Sequence, residues 1–165
     1  MPISRKSLKV IKSFIFLSTF FFSALSAQDL RRNAVHIELG GSGLLYSFNY
    51  ERSLPKNFLV KLGFAALYGE HLLSPLAVGK YFGDGTHHLE LSLGVTNAFF
   101  DVDKGKEDIE YLLLGNLFIG YRMQRIHGRS VFRIGFSPLY TIYSEYEDNK
   151  NIFIPSAAIS YGYRF

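Results

Sequence analysis

Cysteine and tryptophan are both absent from the 165 residues. Without cysteine there are no disulfides, on which small exported domains commonly rely, no thiolate metal centre, and no thiol to carry a lipid anchor. Proline is scarce, at five residues, so little interrupts the chain where backbone hydrogen bonds are needed. Long apolar runs are also missing once the first 27 residues are set aside. Gly, Asn, Ser or a charge breaks each one short of the roughly 20 residues that a membrane-crossing helix needs.

A lasting excess of charge is missing too. The formal net charge is +4, from 18 Lys and Arg against 14 Asp and Glu. Four of those cations, Arg5, Lys6, Lys9 and Lys12, precede the apolar run Phe14 to Leu25 and the small-residue stretch Ser23-Ala24-Leu25-Ser26-Ala27. A basic start, an apolar middle and a small-residue end make a secretory signal peptide, expected at residues 1–27 with cleavage after Ala27. The remainder then holds 14 basic and 14 acidic residues, and the clustered basic excess that nucleic-acid binding requires is gone.

What remains is sheet-forming material. Of 16 Phe and 11 Tyr, all but the five Phe of the leader lie beyond residue 27, together with all 15 Gly. Polarity alternates with period two rather than 3.6. At the C-terminus Phe153, Pro155, Ala157, Ile159, Tyr161, Tyr163 and Phe165 share one face, and Ser156, Ser160, Gly162 and Arg164 lie on the other. Phe132, Ile134, Phe136, Pro138 and Tyr140 alternate with Arg133, Gly135, Ser137 and Leu139, and Leu89, Leu91 and Leu93 with His88, Glu90 and Ser92. Strands are expected at 57–68, 73–82, 86–99, 110–123, 130–143 and 152–165.

Residues 34–53 are read by parity. Bacterial single-chain barrels have an even number of strands, so six clear strands need two more, with Gly41 to Gly43 as a tight hairpin. One long kinked strand would make seven and leave the N-terminus outside the cell. The expectation is therefore an all-β, eight-stranded antiparallel transmembrane β-barrel of up-and-down topology over residues 34–165, after a short periplasmic segment at 28–33. The longest and most charged connections, Asp101 to Asp108 and Ser144 to Asn151, then fall outside, as barrels of this kind have them.

A soluble sandwich also alternates, but its inner face is a dry core. Here the second face collects Glu38, Glu51, Lys61, Glu90, Arg122, Arg133 and Arg164, with Asn49, Asn116, Ser92, Ser137 and Ser160. In a narrow barrel these groups pair across the lumen while the apolar face meets lipid. Leu45, Leu59 and Phe118 are also assigned inward, and with eight strands such side chains fill the interior, which argues against an open channel. Lys80 fits neither face and is expected near the periplasmic end, with its ammonium reaching the headgroups.

The ending Ile159-Ser160-Tyr161-Gly162-Tyr163-Arg164-Phe165, a terminal Phe with Tyr163 and Tyr161 two and four positions before it, resembles the C-terminal signal by which outer-membrane barrels are handed to the barrel-assembly machinery. With Gly41 to Arg52 and Arg133 to Leu139, it is also similar to a group of small uncharacterised outer-membrane β-barrel proteins of Gram-negative bacteria. That resemblance implies a fold, an outer-membrane location and contact with outer-membrane lipids and lipopolysaccharide. It carries over no reaction, cofactor or ligand.

Residues able to do chemistry are few. His87 and His88 are adjacent, so they face opposite sides of a strand and make poor ligands for one metal. His36 is assigned inward, His127 to a turn and His71 to the outer surface. Glu70, His71 and Ser74 supply the residue types of an outer-membrane lipid hydrolase or acyltransferase, but no Gly-x-Ser-x-Gly is present. Asp101 to Asp108 lacks EF-hand spacing, and Lys104 and Lys106 would repel a cation. Glu145, Glu147 and Asp148 with Tyr143 and Tyr146 read equally as a binding patch or as an aromatic girdle and a charged loop. The expected role is structural or interactional, with no catalytic, cofactor or metal residue; a lipid-modifying enzyme and a narrow channel are the alternatives.

Overall fold

The computed structural model describes residues 32–67, 71–101, 109–125, 128–144 and 152–165. The leader, its cleavage site, Glu70, His127 and most of the two charged connections lie outside these residues.

Ten strand segments form the sheet: β1 (Asn33–Gly40), β2 (Tyr46–Ser53), β3 (Phe58–Leu67), β4 (His71–Phe82), β5 (His87–Asp101), β6 (Ile109–Gln124), β7 (Ser130–Phe136), β8 (Leu139–Ser144), β9 (Phe153–Ile154) and β10 (Ala157–Arg164). Each neighbour pair is antiparallel, and β1 pairs β10 from Ala34↔Arg164 to Gly40↔Ala158, which closes the ring. Residues Asn33 and Phe165 seal the seam by exchanging backbone hydrogen bonds of 3.2 and 2.9 Å. Segments β7 and β8 both pair β6, and β8 pairs β9 while β7 pairs β10. They are two halves of one stave, as are β9 and β10, so the barrel has eight staves.

Two expected strands are thus interrupted, at Ser137-Pro138 and at Pro155-Ser156. The cause is proline, which has no N–H to give the ladder. The breaks lie side by side, and the Ser137 N–H donates to the Ser156 carbonyl at 2.7 Å, so both staves bend without leaving that group unpaired. Pro138, expected on the apolar outer face, is buried instead. Beyond it the register against β6 slips between Leu113 and Leu114, where Leu113 faces Tyr143 and Leu114 faces Thr141, so Ile142 is an extra bulged residue.

Residues 34–53 form a hairpin, with Leu39 opposite Tyr46. Its turn does not project away from the barrel. Gly41, Ser42 and Gly43 form a single 3-10 turn and are all buried. Gly40 and Gly41 take φ of 70° and 66°, a region open to glycine at no steric cost. Leu44 takes φ 66° and ψ −70°, and the Leu45 N–H donates to the Gly43 carbonyl at 2.9 Å. That is a γ-turn of the strained hand. Its consequence is that Leu45, expected inside, is 62% exposed, while Leu44 packs on the buried cluster Ala65, Leu73 and Ala98.

Outside and inside are inverted relative to a water-soluble protein. Ile37, Phe48, Leu93 and Tyr161 are between 56% and 65% exposed, whereas Arg122 and Glu90 are wholly buried and Arg133 nearly so. Soluble monomers do not expose a continuous apolar girdle of this extent. A bilayer-crossing barrel does, because lipid covers the apolar face and closure satisfies the backbone.

Candidate functional site

The lumen is the one place where charged side chains converge among the described residues. Six of the seven inward charges expected from alternation meet there, one from each of six staves. Glu51 (β2) takes two hydrogen bonds from the Arg122 guanidinium (β6), Nη2 to Oε1 at 2.6 Å and Nη1 to Oε2 at 3.0 Å. Arg122 also reaches Glu90 (β5), Nη1 to Oε2 at 3.0 Å. Arg133 (β7) grips the same Glu90 from the other side, Nη2 to Oε1 at 2.6 Å and Nε to Oε2 at 2.9 Å. It then donates to Glu38 (β1) at 3.2 Å, and Lys61 (β3) donates to the same Glu38 oxygen at 3.1 Å. The result is a chain of alternating sign, Glu51–Arg122–Glu90–Arg133–Glu38–Lys61, with three charges of each sign.

The register explains why the signs must alternate. Arg122 and Arg133 stand directly opposite one another on β6 and β7, a placement that like charges make unfavourable. Glu90 lies between their guanidiniums and bonds both. Burying ions is costly unless each is paired and hydrogen-bonded, and no cation in this ion chain lacks a carboxylate. Further neighbours complete the packing. Gln124 Oε1 accepts from Arg122 Nε and Nη2 at 2.8 and 2.6 Å. The Tyr81 ring lies 5.0 Å from the Arg122 guanidinium carbon, and Phe118 lies 4.5 Å from that of Arg133. Phe118 has room because Gly120 and Gly135, opposite each other in the register, lie beneath its ring.

Arg164, the seventh expected member, has inward parity but ends β10 at the mouth beside the termini, where it donates to the Arg125 carbonyl at 3.3 Å. His36 is 2% exposed, with Nε2 3.5 Å from Glu51. A Cβ on Gly162 would collide with its Nδ1, so glycine there makes room for the imidazole.

Above the ion chain the lumen turns neutral and then apolar. Asn116 donates to Thr96, and the Thr96 hydroxyl donates to the Ser42 carbonyl at 3.1 Å, pinning the inward-folded turn across the barrel to β5. Next comes the rung Ala65–Leu73–Ala98–Leu112, capped by Leu44. Side chains and the first turn therefore occupy the interior.

Of the residue types expected of a lipid hydrolase, His71 and Ser74 are described and Glu70 is not. His71 and Ser74 are three positions apart on β4 and so have opposite parity. Ser74 serves the backbone instead. Pro75 cannot donate to the ladder, pairing of β3 with β4 lapses between Leu62 and Ala65, and the Ser74 hydroxyl donates to the Gly63 carbonyl at 3.4 Å. Among the described residues no three His, Asp or Glu side chains are grouped to hold a metal. The aromatic residues Tyr161, Tyr163 and Phe165 all face outward.

No protein-family model and no curated protein matches the sequence. Among solved structures the chain is similar to the N-terminal β-barrel domain of Pseudomonas aeruginosa OprF, with a TM-score of 0.56 and 14% identity, over 83% of this chain and 100% of that one. At that identity the likeness concerns the fold, and the fold is a closed eight-stranded antiparallel barrel.

Proposed function

We propose that this protein resides in the outer membrane of a Gram-negative envelope, as a closed barrel with a structural or interaction role and no open pore. The observation that carries the reading is the alternating ion chain crossing a filled lumen inside an apolar exterior. The chain ties six staves together through their side chains, and the inward turn with its apolar cap occludes the other end. Such an interior stabilises a barrel and leaves no continuous water path. Tyr161, Tyr163 and Phe165 are proposed as the handover signal to the assembly machinery, and an envelope protein is the proposed partner.

Membrane fractionation and gel electrophoresis with and without boiling test the location and the fold. A folded barrel is expected to migrate differently before and after heating, and identical migration would remove the reading. In-cell crosslinking of tagged protein in isolated outer membranes tests the interaction role, with a reproducible envelope protein as the expected product. The enzyme reading has weaker support, since Ser74 bonds a backbone carbonyl and His71 lies across the strand from it. Lipid A from a strain lacking the protein is accordingly expected to keep its acylation pattern.

A further inference from the structure

We propose that the outer rim of the barrel at the end bearing the chain termini holds an anionic glycerophospholipid, with its phosphate at Lys80. The inference rests on the membrane-spanning reading above. Lys80 has outward parity on β4, three residues before the Gly83–Thr86 turn, and its Cα partner on β3 is Phe58. Its ammonium lies 5.1 Å from the ring centroids of both Phe58 and Phe82, two residues that are themselves exposed on the outer face. The rings fix where the charge stands, and no carboxylate among the described residues pairs with it. A cation on the lipid face is costly at mid-bilayer and nearly free at the interface, so this position belongs at headgroup depth.

Charge distribution at this rim supplies the complementarity. On the same rim Arg129 donates to the Tyr163 hydroxyl at 2.6 Å, with its guanidinium carbon 5.8 Å from that ring, and Arg52 lies near the end of β2 on the outward parity. Of the described acidic side chains, Glu38, Glu51 and Glu90 are all consumed inside the lumen. Asp84, in the turn, is the exception. The surface that meets the headgroups is therefore cationic although the chain beyond the leader is formally neutral, and a phosphodiester with net negative charge is the ligand class it fits.

The test is native mass spectrometry of the full-length barrel purified from membranes in mild detergent, with phosphatidylglycerol and phosphatidylethanolamine supplied in equal amounts. Wild type is expected to retain phosphatidylglycerol preferentially. Lys80→Gln is expected to lower that retention about fivefold, the effect of one basic residue at an anionic surface, and Lys80→Arg to restore it. Equal retention by wild type and Lys80→Gln, or no preference between the lipids, would overturn the site. So would selective loss of lipopolysaccharide in Lys80→Gln, which would put the residue in the other leaflet. Heat-modifiable migration of each sample separates these results from failure of the barrel itself: a barrel that shifts on heating yet shows no preference defeats the lipid site alone.

Discussion

Glu90 is the link between the two arginines of the β6–β7 rung, since it accepts hydrogen bonds from both. Removing one partner of a buried ion pair costs about 3–5 kcal/mol. Glu90→Gln, or Arg133→Leu, is expected to destabilise the barrel by that order, whereas Arg164→Gln at the solvated mouth is expected to cost under about 1 kcal/mol. Urea midpoints check this, followed by far-ultraviolet circular dichroism because the chain has no tryptophan to report. Equal shifts for Glu90 and Arg164 would deny the chain its central role. The His36–Gly162 contact makes a second residue-scale case. Gly162→Ala drives a Cβ into the imidazole, a clash expected to cost about 1–3 kcal/mol. In a double-mutant cycle, His36→Ala should relieve most of it, and strict additivity would show that the clash is absorbed elsewhere.

Among the elements, the first hairpin turn departs most from what a barrel hairpin does. It bends into the lumen, and it keeps Leu44 in a strained γ-turn so that its side chain reaches the apolar cluster. Strain of this kind costs about 1–3 kcal/mol and persists only where the surroundings over-determine it. Two truncations separate strain from packing. Leu44→Ala loses the contact and keeps the strain; Leu44→Gly loses the contact and releases it. Glycine is therefore expected to unfold at a higher urea concentration than alanine by about 1 kcal/mol, the reverse of the usual order. If alanine is the more stable variant, the turn is not strained in the folded protein.

For the whole molecule, the relevant property is closure. Among the described residues the ring closes through β1 and β10, the ion chain and the inward-folded turn cross the lumen, and the charges of that chain balance three against three. Planar bilayers containing the protein are expected to stay silent at potentials that open larger barrels. Discrete, long-lived conductance steps would show that the ion chain or the turn yields, and would shift weight to the channel alternative.

Much of this was legible in the residues because a barrel obeys two strict local rules. Period-two alternation sorted Glu38, Glu51, Lys61, Glu90, Arg122 and Arg133 onto one face, and the even-strand rule turned residues 34–53 into a hairpin; both rules act along the strand, where sequence is local. What alternation does not carry is depth. It placed Arg164 on the inward side of β10 without saying that it stands at the mouth, away from the ion chain, and it assigned Leu45 inward because nothing local foretold a turn folding back into the lumen. Nor did it show that Ser137-Pro138 and Pro155-Ser156 would lie side by side, or that Gln124, Tyr81 and Phe118 would surround the arginines. Those are relations between strands distant in sequence, set by register and by the curvature of a closed ring. Along the regular strands the sequence by itself determined which side chains face in and which face out. Only the closed barrel decided which partners they meet, because that depends on the stagger between staves, which no single strand records.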